Sequence, residues 1–127
     1  MDKTAKNNRM TLTLALSYSS RWEITNAVNN IIKDFSNNNI EKSKIDEKQF
    51  EKYLNTSNMP DPELLIRTSG EMRISNYLLW QIAYTELYFT QKLWPEFGAE
   101  DFYAAILEYQ SRERRFGMTS EQLKHED

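Results

Sequence analysis

The sequence predicts an α/β fold, a parallel sheet of about three strands flanked by helices. Three observations point there. Apolar runs of strand length recur along the chain, helical periodicity fills much of what lies between them, and the middle run ends in a Thr-Ser-Gly turn. Such turns suit the carboxyl edge of a parallel sheet, where ligands settle.

Each element has a local cause. In Thr11 to Ser17, Leu12, Leu14 and Leu16 share one face with Ala15 between them, which predicts a strand. Ser20 and Glu23 have capping-box spacing, and Ile24, Ala27, Val28, Ile31, Ile32 and Phe35 then recur at helical intervals, so an amphipathic helix follows. Ser36 to Ser43, with Asn37, Asn38 and Asn39, reads as a polar loop. Asp46 and Gln49 cap a short helix that packs through Phe50, Tyr53 and Leu54.

Pro60 and Pro62 stiffen the entry to Leu64, Leu65 and Ile66, a continuous apolar run that suits a strand buried on both faces. Tyr77 to Tyr84 is apolar almost all round, with Leu78, Leu79, Trp80, Ile82 and Ala83, which predicts a buried helix beginning near Asn76. Leu87, Tyr88 and Phe89 predict another short buried strand. Ala99 to Arg115 makes the last helix, with Glu100 and Asp101 in its first turn, Phe102, Ile106, Leu107 and Tyr109 inward, and basic residues at its end. Residues 1–117 read as one domain part and 118–127 as a frayed polar tail, with no internal repeat and no dividing linker.

Composition narrows the function classes. With 127 residues, 39% of them hydrophobic, the chain is long enough for one small core. The absence of cysteine argues against a disulfide-stapled secreted scaffold, and the polar start MDKTAKNNRM lacks the apolar stretch of a signal peptide. A cytoplasmic location is expected. A net charge of -3 and a pI near 5.3 give no global attraction to nucleic acid or to an acidic membrane surface, so no nucleic-acid partner is expected. Lys42, Lys44, Lys48 and Lys52 cluster in a polar middle segment, whereas arginine concentrates at Arg67, Arg73, Arg112, Arg114 and Arg115. Geometry-demanding anion contacts prefer arginine.

The chemistry concentrates between Asp61 and Phe97. Arg67 sits near the carboxyl end of its strand, Thr68, Ser69 and Gly70 let backbone N-H groups approach an anion, and Arg73 and Ser75 follow on the same loop. An arginine fork matches phosphate oxygens, and a helix starting near Asn76 would aim its positive end at the same place. This convergence favours a dianionic or trianionic ligand such as a diphosphate. Glu86 lies between apolar segments and needs a cation; a magnesium ion shared with the diphosphate would satisfy it, with Glu71 a second candidate.

Plainer readings stand beside these. Arg112, Arg114 and Arg115 at a helix end complement the macrodipole. Trp80, Tyr84, Tyr88 and Trp94 read most simply as core aromatics, and Trp22 and Arg21 as packing and surface residues. Arg67 and Glu71 could form a structural ion pair, and His125 sits in a charged tail.

The strings LALSYSSRWEI, DPELLIRTSGEMRISNYLLWQIAYTELYF, LWPEF and YQSRERRFG resemble the later motifs of the cis-prenyltransferases, the isoprenyl diphosphate synthases typified by undecaprenyl diphosphate synthase, from about Leu12 to Gly117. The resemblance implies part of a larger fold of that type, and magnesium-assisted condensation of isopentenyl diphosphate onto an allylic prenyl diphosphate to form a cis double bond. It implies that Arg67, Arg73, Ile74 and Ser75 hold the isopentenyl diphosphate head group, that Glu86 is a magnesium ligand, and that Glu71 matches the glutamate of the same loop. It also implies a homodimer in which Arg115 and Gly117 reach the partner's site, and a peripheral membrane contact for the lipid product. Met72 stands where some members carry histidine, and Met118 where a second glycine is common. The family's amino-terminal Gly-rich aspartate loop and its Ser/Asn/Trp-rich block have no counterpart here, so the chain resembles the carboxy-terminal half and the catalytic aspartate is absent. Two other readings are a noncatalytic partner subunit and a generic phosphate-binding α/β module. The latter lacks a GxGxxG or Walker loop.

Overall fold

The computed structural model describes residues 2–40 and 44–112. After a short 3-10 turn at Asp2–Thr4, the elements are α1 (Ser20–Ser36), α2 (Glu47–Glu51), β1 (Leu64–Arg67), β2 (Glu86–Phe89), a second 3-10 turn at Trp94–Glu96, and α3 (Ala99–Ser111). β1 and β2 pair in parallel, with Leu64 opposite Glu86 and Arg67 opposite Phe89. The expected α/β class with a parallel sheet is therefore what forms, with two strands among the described residues.

Pairing continues past the strand ends. Glu86 N donates to the Glu63 carbonyl at 3.0 Å, Thr90 N to the Arg67 carbonyl at 2.9 Å, and the Thr85 hydroxyl to the Pro62 carbonyl at 2.6 Å. The Pro60 and Pro62 approach is thereby pinned to the start of β2. All residues of both strands are half-buried rather than buried on both faces.

Two expected elements are replaced. Thr11 to Ser17 is not a strand: it has no ladder partner, Leu12, Leu14 and Leu16 are exposed, and Ser17 has a φ of 53°. Alternating apolar residues become a strand only when another strand supplies the hydrogen bonds, and the one pairing in the sheet is between β1 and β2. Tyr77 to Tyr84 is a series of turns rather than a helix. Ser75, Asn76 and Leu78 take left-handed φ values of 54°, 62° and 47°, which a right-handed helix cannot accommodate, and one helical bond, Ile82 N to the Leu78 carbonyl at 3.0 Å, is what remains of the pattern.

α1 begins one residue earlier in logic than its sequence suggests. Ser19 is the N-cap, its hydroxyl accepting from Trp22 N at 3.5 Å, and Glu23 does not fold back as a capping-box partner. Glu23 is instead 2% exposed and accepts from the Tyr18 hydroxyl, from Asn55 N at 2.8 Å and from Gln81 Nε2 at 3.2 Å. A buried carboxylate is tolerable when several donors converge on it. Around this hub lie the buried Ala27, Leu54 and Ile82, and Gln81 Nε2 also donates to the Thr56 hydroxyl at 2.9 Å.

α2 has the anticipated capping box, with Gln49 N to Asp46 Oδ1 at 2.8 Å and Asp46 N to Gln49 Oε1 at 3.2 Å. Its Phe50 ring lies 4.5 Å from that of the half-buried Trp80. α3 packs on β2 through the fully buried Ala105. Phe102 and Leu107 are exposed and Ile106 and Tyr109 half-buried, so the inward face is narrower than the sequence implied. Tyr84 and Trp94 are likewise exposed rather than core, and Trp22 lies at the surface. Arg114, Arg115, Gly117 and the 118–127 tail lie outside the described residues.

Candidate functional site: the turn after β1

Arg67 closes β1, and the chain then turns through Ser69 and Gly70 with left-handed φ values of 70° and 66°. Ser69 N donates to the Lys92 carbonyl at 2.7 Å and Gly70 N to the Thr90 carbonyl at 2.9 Å. These two N-H groups, reserved for an anion in the sequence reading, are spent on tying the turn to the exit of β2. Gly70 is required by its backbone, since its φ favours glycine; the atoms a Cβ would meet are the end of the exposed Gln91 side chain, which can swing aside.

The Arg67 guanidinium reaches across the turn. Its Nη1 donates to the Ser75 hydroxyl at 3.1 Å and to the Arg73 carbonyl, which ties β1 to the 73–75 loop. The Arg73 side chain points elsewhere and pairs with Glu71. At 66% and 41% side-chain exposure that pair contributes little to stability. Glu71 thus partners Arg73 rather than Arg67. Ile74, between the two polar residues, is half-buried. The structure brings Arg67, Arg73, Ile74 and Ser75 together around one loop.

Glu86 is elsewhere. Side chains alternate faces along a strand, so the register puts Glu86 on the face of Leu64, Ile66 and Tyr88, and Arg67 on the face of Leu65, Leu87 and Phe89. The two also occupy opposite ends of the strand pair, about 10 Å apart along the strand direction. The cation that satisfies Glu86 is Arg112: its Nη1 donates to Glu86 Oε2 at 2.9 Å and to the Leu87 carbonyl at 2.9 Å, while its Nη2 donates to Glu108 at 2.5 Å. Pairing with Glu108, and next with Glu86, pushes the Arg112 guanidinium further above the usual arginine range. Among the described residues no group of three His, Cys, Asp or Glu is arranged to hold a metal ion. The register thus sets Glu86 apart from the Arg67 loop, and the cation it meets among the described residues is Arg112. Glu86 alone offers one carboxylate oxygen, Oε1, that accepts no hydrogen bond among the described residues.

Tyr18 borders the loop from the other side, its ring edge-on to Tyr77 at 5.5 Å. Burial, and then its hydrogen bond to Glu23, raise its phenol to about 12. Asn76 is bound to the start of α1, with its amide donating to the Ser19 hydroxyl at 2.8 Å. Sequence reasoning missed the roles of Arg112, Asn76 and Glu23. The Glu108 and Arg112 spacing of four was the available signal for the first, and asparagine's tolerance of left-handed backbone for the second. The burial of Glu23 was hidden because two of its three partners, Asn55 and Gln81, come from distant segments.

A parallel strand pair with an arginine-rich exit turn defines the class of this protein. Comparison with known proteins makes it specific. Residues 1–117 match the family model described as "Putative undecaprenyl diphosphate synthase". The chain is 53% identical to an isoprenyl transferase of Chlorobaculum tepidum, over 98% of this chain and 47% of that protein. It is 47% identical to the ditrans,polycis-undecaprenyl-diphosphate synthase ((2E,6E)-farnesyl-diphosphate specific) of Acinetobacter baylyi, over 98% of this chain and 50% of that protein. The crystal structure of lavandulyl diphosphate synthase from Lavandula x intermedia, in complex with dimethylallyl diphosphate, superposes with a TM-score of 0.78 at 42% identity, covering 82% of this chain and 45% of that one. That of a probable undecaprenyl diphosphate synthase from Campylobacter jejuni gives 0.74 at 32% identity, covering 91% and 51%. The chain belongs to the undecaprenyl diphosphate synthase family of prenyltransferases. It spans about half the length of the curated relatives it matches.

Among the described residues no helix is long and apolar enough to cross a membrane.

Proposed function

We propose that this chain contributes the isopentenyl diphosphate clamp of a cis-prenyltransferase, and that the enzyme condenses isopentenyl diphosphate with an allylic prenyl diphosphate. The observation that carries the reading is the Arg67 contact with Ser75, made at the exit of β1 beside Arg73. Arg67 occupies an acceptor site on the Ser75 oxygen, which leaves the hydroxyl proton to donate outward to a phosphate oxygen. Arg73, exposed and held only by the surface pair with Glu71, is free to swing its fork onto the same head group. Ile74 lines the loop between them.

In this reading diphosphate departs from the allylic substrate as its C–O bond breaks, the isopentenyl double bond attacks the allylic carbon, and a proton is lost to leave a cis double bond. The chain's own part is positioning: the clamp holds the attacking olefin by its head group and stabilises that charge. Magnesium fits as the family's cofactor with Glu86 as a single carboxylate donor, since such ions keep several waters and take phosphate oxygens. Bound there, it would neutralise charge on a diphosphate. Arg115 and Gly117 are assigned to contact with the partner subunit's substrate in a homodimer. A cytoplasmic enzyme touching the membrane peripherally to deliver its lipid product completes the proposal.

The test is calorimetric titration of the chain with isopentenyl diphosphate. Arg67→Ala should weaken binding by about 2 kcal/mol, the worth of a charge-assisted hydrogen bond, and Arg73→Ala by a similar amount. Binding unchanged by Arg67→Ala would remove the clamp.

A further inference from the structure

The first turn of a helix leaves four backbone donors in need of partners. In α1, two of them are met by one distant residue: Ser20 N donates to the Asn76 carbonyl at 3.0 Å and Arg21 N to Asn76 Oδ1 at 2.9 Å. A third, on Trp22, is taken by the Ser19 hydroxyl, and Glu23 N makes the first bond of the helix proper, to the Ser19 carbonyl. The Asn76 amide closes the loop by donating to the Ser19 hydroxyl at 2.8 Å, and the Ser20 hydroxyl accepts from Leu79 N at 2.9 Å. Asn76 therefore has its carbonyl, both ends of its side chain and its following turn fastened to the start of α1.

What lies next to Asn76 gives this fastening a purpose. Ser75 and Asn76 both sit in the left-handed region, with φ of 54° and 62°. That conformation costs a non-glycine residue about 1 kcal/mol or more, so it persists only when neighbouring contacts impose it. It is this backbone that presents the Ser75 hydroxyl and the Arg73 carbonyl, the two groups onto which Arg67 Nη1 lands. The chain of contacts runs from Ser19 through Asn76 to Ser75 and on to Arg67.

We propose that Asn76 is a positioning residue for the diphosphate clamp, a proposal that rests on the clamp reading above. Locked to α1, it fixes the turn whose groups hold the Arg67 guanidinium in place before any ligand arrives. Without the lock, the turn relaxes toward ordinary φ values, Arg67 loses its fixed partners, and the head group must order them itself on binding.

The full chain, titrated with isopentenyl diphosphate by calorimetry and followed in parallel by thermal melting, tests this. Asn76→Gly accepts the left-handed backbone and removes only the side-chain lock; it should bind roughly tenfold more weakly, as for loss of one hydrogen-bonded support. Ser19→Ala touches the clamp only through Asn76 and should bind about threefold more weakly. Combining either change with Ser75→Ala should weaken binding by less than the sum of the two separate losses, a non-additivity that a merely structural role would not produce. Wild-type affinity in Asn76→Gly, alongside weakened binding in Arg67→Ala, overturns the lock and leaves the clamp standing. Wild-type affinity in Arg67→Ala, or no binding by the unaltered chain, overturns the clamp and the lock with it. Should Asn76→Gly fail to melt cooperatively, Ser19→Ala decides, and losses that simply add to those of Ser75→Ala overturn the proposal.

Discussion

Arg112 and Glu86 form the contact that fastens the end of α3 to the start of β2. The guanidinium lies 2.9 Å from the carboxylate, with side-chain exposures of 29% and 28%, and the same nitrogen also donates to the Leu87 carbonyl.

Removing Arg112 should therefore be costly. Arg112→Ala leaves a half-buried carboxylate and a strand carbonyl without their donor, and should destabilise the chain by about 2 kcal/mol in urea unfolding. Adding Glu86→Gln should recover part of that loss, because it removes the stranded charge. A double variant as weak as the sum of the two single ones would show that the pair is not coupled.

Tyr18 gives the chain a predictable alkaline response. The phenol titrates near 10.0 when unfolded and near 12 in the fold, raised first by burial and then by Glu23. Between those values the folded state keeps a proton that the unfolded state has lost, so stability declines as pH rises from 10 to about 12. Below that window the contribution is complete. Tyr18→Phe should flatten this part of a stability profile measured by denaturant titration; an unchanged slope would assign the alkaline loss to other groups.

The exposed Leu12, Leu14 and Leu16 should make the chain prone to self-association, since 77%, 74% and 84% of their surfaces meet solvent in one short segment. Sedimentation should find dimers or larger species at micromolar concentration. Replacing the three leucines with serine should shift the population toward monomer. A monodisperse, cooperatively melting monomer in the unaltered chain would count against this expectation.

What was legible in the sequence was what short-range physics decides. The apolar runs at Leu64 and Leu87, the helical spacing after Ser20, and the Asp46 and Gln49 box each act within a few residues, and each forms. The errors lie where distant segments intervene. Tyr77 to Tyr84 has helix-forming composition, yet the start of α1 takes up Asn76 and Leu79 N and holds left-handed turns there instead. Leu12, Leu14 and Leu16 alternate as a strand should, but alternation does not supply the neighbour that a ladder requires. At the site, the order Arg67, Arg73, Ser75 was readable as a cluster, whereas face and register were not. Only pairing reveals that Glu86 belongs with Arg112.

That β1 and β2 stand between Arg67 and Glu86 has a bearing on how this protein tolerates change. Substitutions at one should carry no compensating demand at the other, because among the described residues the two side chains share no hydrogen-bond or ion-pair partner. Their penalties sum like those of unrelated positions. The turn that grips and the acid that is gripped can drift, or be redesigned, as separate parts.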